Sequence, residues 1–226
     1  GQVPASSFVA MGMTNPDGTQ FYETAGDNEG FVGYYDVSVD AFEDNFAQAV
    51  EILKKYYTYD EATGMFTDFP TLTYLYNTSE GHKAIGEYLQ SAMAGVGITM
   101  NLENQEWNTF LNTRKDGGYS IARNGWIADY NDPMSFLDMW LTGGGNNDAQ
   151  YVNPEYDALI QAAKSTTDPA ERMQAMHDAE DIIIGQDWAL NPLYFYTQKY
   201  MISDRINGMY YTPLGYFFFT YAQPNA

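Results

Sequence analysis

The stretch TLTYLYNTSEGHKAIGEYLQSAMAGVGITMNL, residues 71–102, decides the fold. Thr71 to Tyr76 alternates and is rich in β-branched and aromatic side chains, which predicts a strand. Asn77-Thr78-Ser79-Glu80 then offers capping side chains. A helix is expected from about Gly81 to Ala94, closed by Gly95 or Gly97, because glycine readily takes the conformation that ends a helix. Ile98 to Leu102 alternates again and predicts a second strand. Strand, helix and strand in that order imply two parallel strands joined by a right-handed crossover. The fold class is therefore α/β.

Upstream, residues 1–33 are rich in Gly, Pro, Asn and Asp. NPDGT (15–19) and GDNEG (26–30) carry turn chemistry, so this part reads as an irregular lead-in. GDNEG lacks the spaced oxygens of a calcium loop. A helix begins near Asp40, with Phe42, Phe46, Ala49, Val50 and Leu53 at helical spacing and Lys54 and Lys55 at its negative dipole end. Downstream, Trp107 to Thr113 reads as a short helix and Tyr119 to Arg123 as a third strand. Pro133 opens a helical stretch to Leu141, and GGGNN (143–147) reads as a flexible loop. Helices follow at 156–163 and 170–184, the second opened by the N-cap pair Asp168-Pro169. From Pro192 to Tyr221 the chain reads as strands broken by SDRING (203–208) and TPLG (212–215). Phe217-Phe218-Phe219 is too apolar for a free end and requires a packing partner.

Composition excludes several functions. The 226 residues carry a net charge of −20, from 30 acidic and 10 basic side chains. Such a surface repels nucleic acid and anionic lipid. There is no Cys, so no disulfide framework or thiolate metal site forms. No apolar run approaches the ~20 residues of a membrane helix. Aromatic residues make up 16%, including 20 Tyr; such rings suit strands, half-exposed surfaces and the walls of wet clefts. The opening GQVPASSFVAMGM has no start Met and no signal-peptide pattern, the form expected of a processed product or an expressed fragment.

Enzyme signatures are missing. The only histidines, His82 and His177, fall on different helices and outside any zinc spacing. No Ser lies in a GxSxG elbow, and GGGNN lacks the Lys-Ser/Thr of a phosphate loop. Asp129 and Asp132 could form an acid/base pair, but Pro133 equally makes Asp132 a turn or cap residue. No catalytic residue, metal or cofactor is expected.

The segment RNGWIADYNDP (123–133) leaves a predicted strand with a cation, a glycine, a large aromatic and an acid. Glycine allows close main-chain approach, main-chain groups can add a peptide as an extra strand, and Asp and Arg can hold the ends of a zwitterion. The same residues also fit a strand end with a solvated Arg, a core Trp and an Asp helix cap. Spacing alone favours that plainer reading.

RNGWIADYNDP nonetheless resembles the Gly-Trp-x-Ala-Asp-Tyr-x-(Asp/Glu)-Pro signature of the solute-binding proteins of peptide ABC transporters, extracellular solute-binding protein family 5, and of its oligopeptide branch above all. YNTSEGHK (76–83), NQEWNTFLNTR (104–114), the run from Tyr151 to Ile184, NPLYFY (191–196) and VPASSFVAMG (3–12) resemble further family segments in the same order. The resemblance covers nearly the whole chain. It implies a type II periplasmic-binding-protein-like lobe with a mixed sheet and with the N-terminal lobe absent. Residues 1–196 would form the C-terminal ligand-binding lobe, and 197–226 tail strands that return to the other lobe. Asp129 would hold a peptide's α-ammonium, and main-chain groups around Gly125 and Ile127 would pair with the peptide. Arg123 and Arg114 would meet its C-terminus directly or through water. Trp107 and Trp126 would line side-chain pockets, and His82 matches a histidine used for longer peptides. Ile127 replaces a frequent Cys at a position that acts through its main chain.

The implied function is a non-enzymatic, monomeric receptor that delivers oligopeptides to the permease of an ABC importer. It would work at the cell surface through a lipid anchor on the longer protein, or in the periplasm. Hydrated pockets would give sequence tolerance. Without its partner lobe, this piece is expected to bind peptide weakly or not at all. The alternatives are another solute on the same scaffold (dipeptide, pheromone, murein peptide or sugar) and, from a different class, a glycan or peptide hydrolase.

Overall fold

The computed structural model describes residues 1–24, 33–212 and 214–225. The GDNEG turn and Pro213 of the TPLG turn lie outside the described residues. The chain divides into two compact units, one formed by Ser38–Gly125 and Gly145–Tyr151, the other by Gly1–Val37, Trp126–Gly144 and Val152–Ala226.

The first unit is built on the predicted crossover. Strand Leu72–Asn77 lies at the centre of a parallel three-stranded sheet, between Met100–Gln105 and Ile121–Ala122. The register runs from Leu72 opposite Met100 to Asn77 opposite Gln105. Helix Glu80–Ala94 makes the crossover. Gly95 still has right-handed backbone, and Gly97, at φ +79°, makes the left-handed turn. A Cβ at Gly97 would stand 2.4 Å from the Phe66 carbonyl oxygen, so only glycine fits there.

The second strand starts two residues later than the alternation suggests. Ile98, 2% exposed, is spent on a core cluster with Phe66 and Val96, against which Val50, Leu53 and Leu72 pack. Its burial resembles a strand position, but it belongs to the turn that leads in. The third strand is regular only at Ile121–Ala122. Ladder bonds continue on either side, from the Ser120 N–H to the Thr73 carbonyl (3.2 Å) and from the Arg123 N–H to the Leu75 carbonyl (2.8 Å). Helix Phe42–Leu53 forms as its spacing predicts. Only its C-terminal side reaches the core; Phe42 and Phe46 stay exposed and stack on each other at 6.0 Å.

In the second unit, helices Pro154–Ser165 and Pro169–Glu180 pack together. Asn153 and Asp168 cap them through side-chain oxygens that accept main-chain N–H bonds at 2.8–3.2 Å. The second helix widens into a π-helix over Asp181–Gln186, with Ile182, Ile183 and Ile184 buried. The stretch after Pro133 splits into an α-turn Met134–Leu137 and a 3-10 turn Asp138–Trp140. Phe8 meets Phe136 and Trp140 edge-on at 5.5 and 5.6 Å. Strand Val3–Pro4 runs antiparallel to Tyr194–Phe195. Glu180 is fully buried, and one carboxyl oxygen accepts the N–H groups of Phe8 (2.7 Å) and Val9 (2.8 Å). Burial pushes this carboxyl up to about 7, against the pull of those two bonds.

The end of the chain makes two small antiparallel pairs, Ile206–Asn207 with Gln223–Pro224 and Tyr210–Tyr211 with Phe217–Phe218. Thr212 and Gly215 close the tight turn of the second pair through bonds to Tyr216 and Thr212 at 2.9 and 3.0 Å. No described residue from 197 to 225 is buried, and Phe217, Phe218 and Phe219 are exposed.

Candidate functional site

The candidate residues fall in both units. His82, Trp107, Arg114, Arg123 and Gly125 belong to the unit with the parallel sheet, and Trp126, Ile127 and Asp129 to the other.

In the sheet unit, the carboxyl end of the third strand delivers Arg123. Its main chain is held from below by Arg114, which lies in the last turn of helix Trp107–Lys115. Arg114 Nε and Nη2 each lie 2.7 Å from Asp148 Oδ2. Nη1 donates to Asn124 Oδ1 at 2.9 Å and to the Arg123 carbonyl at 3.4 Å. Asn124 Oδ1 also accepts the Gly125 N–H at 2.8 Å. The side chains of Arg114 and Asp148 are 12% and 7% exposed, so this is a nearly buried ion pair. The guanidinium stacks over Phe110 at 5.0 Å. Arg114 is thereby a strut for the loop 123–125, a role that the motif alone does not reveal.

Asp148 is secured in its turn. The Tyr119 hydroxyl donates to its carbonyl at 2.8 Å. Asn147, next to it, exchanges two bonds with the main chain of Tyr151, at 2.8 and 2.9 Å. The GGGNN stretch thus differs from a plain flexible loop, because its last residue is buried and clasped. A Cβ on Gly125 would stand 3.0 Å from Arg123 Nη2, so the missing side chain leaves room for the guanidinium beside the main chain. His82 sits half-buried in the first turn of its helix. Burial, and then the charge of Arg123, hold its imidazole below the ordinary value, which favours the neutral form. Trp107 opens its helix exposed and stacks on buried Phe110 at 5.8 Å.

In the other unit, burial alternates along 126–129: Trp126 and Ala128 turn inward, Ile127 and Asp129 outward. The Trp126 indole N–H donates to the Ser135 carbonyl at 2.7 Å, and the Asp129 N–H to Ser135 Oγ at 2.8 Å. Asp132 follows its plainer reading. Its Oδ1 accepts the Met134 N–H at 2.9 Å, and both its oxygens take a bidentate fork from Arg172 at 2.8 and 2.9 Å. An acid/base pair with Asp129 is therefore not arranged, since both carboxyl oxygens of Asp132 are taken up by Met134 and Arg172. The Asp129 carboxylate is exposed and takes part in no ion pair or hydrogen bond among the described residues.

Among the described residues no group of three or more His, Asp or Glu side chains could hold a metal ion. No described helix is long and apolar enough to cross a membrane. Sequence reasoning missed Asp148, Ser135 and Asn124. Asn124 adjoins the motif, whereas Asp148 and Ser135 become visible only once the chain has folded.

Residues 2–148 match the model of the bacterial extracellular solute-binding proteins, family 5 (middle part). The dipeptide-binding protein DppE of Bacillus subtilis is 32% identical over 223 residues, which is 98% of this chain and 38% of DppE. The periplasmic oligopeptide-binding protein OppA of Salmonella typhimurium is 39% identical over 147 residues, 64% of this chain and 27% of that protein. Haemophilus influenzae OppA in complex with the peptide RPPGFSPFR superposes with a TM-score of 0.70 at 29% identity, over 95% of this chain and 38% of that one. This chain thus spans well under half the length of these relatives. The fold is a type II periplasmic-binding-protein-like α/β lobe. With the family model matching from Gln2 to Asp148, the chain belongs to the bacterial extracellular solute-binding proteins of family 5.

Proposed function

We propose that this chain is the peptide-holding part of a receptor that captures oligopeptides outside the cytoplasm and hands them to an ABC importer, without chemical turnover. One observation carries the reading: Asp129 presents an exposed carboxylate, without a partner among the described residues, on a loop whose neighbouring side chains are anchored. A carboxylate so held suits an α-ammonium, which every peptide with a free N-terminus has. Arg123 meets the ligand's carboxylate, directly or through water, with Arg114 as its support. Main-chain groups near Gly125 and Ile127 pair with the peptide backbone, and Trp107 and Trp126 border side-chain pockets. His82, kept neutral, offers a hydrogen bond to longer ligands. The exposed aromatic strands of 197–226 pack against the remainder of the longer protein, which is monomeric and reaches the permease as a whole.

The test is calorimetry on the full-length parent, with trialanine and its N-acetyl derivative. Trialanine should bind much more tightly, and Asp129→Asn should remove most of that difference. Equal binding of the two ligands would sink the role of Asp129. The similarity to a dipeptide-binding relative over 98% of the chain supports dipeptides as the second reading. Dialanine binding as well as trialanine would favour it, and mass spectrometry of co-purified ligand reads the same question directly.

A further inference from the structure

We propose that Ser135 is the positioning residue that aims Asp129 at its ligand. This rests on the reading of Asp129 as the acceptor of a peptide α-ammonium.

The segment 126–129 belongs to no sheet, so no ladder of main-chain bonds fixes it. Ser135 supplies what a ladder would. Its carbonyl takes the Trp126 indole N–H and its Oγ takes the Asp129 N–H. One residue therefore grips both ends of the segment, and Ala128 is buried between them. Ser135 is itself 2% exposed. A hydroxyl at that depth is costly unless it is bonded, and here it is spent on the main chain of the residue that faces the ligand. The grip is anchored further back. The Ser135 N–H donates to the Asp132 carbonyl at 3.0 Å, Asp132 Oδ1 holds the Met134 N–H, and Arg172 fixes the Asp132 carboxylate. Contacts thus run unbroken from Arg172 through Asp132 and Ser135 to Asp129, all within one unit.

Geometry is what such a carboxylate needs. An ion pair removed from water repays its desolvation only when it is well placed. A tether on the Asp129 N–H sets where the Cα lies and in which direction the side chain leaves it. An alanine at 135 keeps the carbonyl bond to Trp126 and removes only the tether on Asp129. Nothing in the amino-acid pattern marks Ser135, because it lies nine residues after Trp126 in a helical turn and is not part of the motif.

The experiment is a double-mutant cycle in the full-length parent, with trialanine as the probe and calorimetry as the readout. Ser135→Ala should weaken binding about tenfold, the scale of one lost hydrogen bond. On an Asp129→Asn background the same change should cost less than about twofold, because there is no longer a charge to aim. Ser135→Thr, which keeps the hydroxyl, should stay near wild type. If Ser135→Ala does not fold, Ser135→Cys fills the same space with a thiol that is only a weak acceptor and is read in the same cycle. Equal losses on both backgrounds would mean a merely structural serine and would overturn the proposal while leaving the role of Asp129 intact. Unchanged trialanine binding by Asp129→Asn would overturn both.

Discussion

Asp129 and Asp148 are treated in opposite ways, although each belongs to a loop beside a sheet or helix end. Asp148 is nearly buried, paired twice by Arg114 and enclosed by Tyr119 and Asn147. Asp129 is exposed, and among the described residues only its main chain is engaged. The first arrangement turns a charge into a structural tie. The second leaves the charge available and invests in the main chain beneath it. On the proposed reading of Asp129, a ligand-facing charge has a supported backbone and a side chain left open.

That contrast can be broken at either end. Asp148→Ala leaves the Arg114 guanidinium nearly buried and unpaired, and should cost about 3–5 kcal/mol of stability. Urea unfolding reads it, and a loss under about 1 kcal/mol would show that the pair is not a tie. Asp129→Ala should do the reverse. In the full-length parent, peptide affinity should fall by roughly 2–5 kcal/mol, while the unfolding midpoint moves by no more than about 0.5 kcal/mol of stability, as at an ordinary surface site.

Glu180 sharpens the comparison, because it is buried like Asp148 but has no cationic partner among the described residues. Burial raises its carboxyl to about 7 when folded, from an ordinary value of 4.5. The folded state therefore holds its proton more tightly than the unfolded state. The resulting stability is complete below about pH 4.5 and is lost as pH rises through about 7, on the order of 3 kcal/mol in all. Glu180→Gln should keep the bonds from Phe8 and Val9 and flatten that dependence. Urea melts at pH 5 and pH 8 should show a smaller difference for the variant than for the wild type; equal differences would exclude a raised carboxyl. The smallest effect belongs to Arg172→Ala, since the half-buried pair with Asp132 is worth about 1 kcal/mol. It should register first as a modest loss of peptide affinity, with little change in unfolding.

Local pattern carried much of the fold. The crossover at 71–102, the cap at Asp168 and the helix at 42–53 follow from alternation, capping and period, although Ser79 opens the crossover helix without a side-chain cap bond. The errors arise where burial mimics period. Ile98 looks like a strand residue because it is buried, but it packs in the lead-in turn. For the candidate site, Trp126 and Asp129 lie in a contiguous motif, which is why the sequence alone can nominate them. Arg114 could be read as a cation but not as a strut, because Asp148 is 34 residues away and only folding brings the two together. Ser135 was silent for the same reason.

The π-helix at Asp181–Gln186 has a consequence of its own. A turn of this kind carries one residue more than an α-turn, so it amounts to an insertion absorbed without breaking the helix. Removing a single residue there would restore α-pitch and exchange the wide-turn bonds for ordinary ones. The buried face would change only locally, where Ile182, Ile183 and Ile184 share the wide turn. The π-turn is thus the place along this helix where a change of length is taken up before it reaches the rest of the chain.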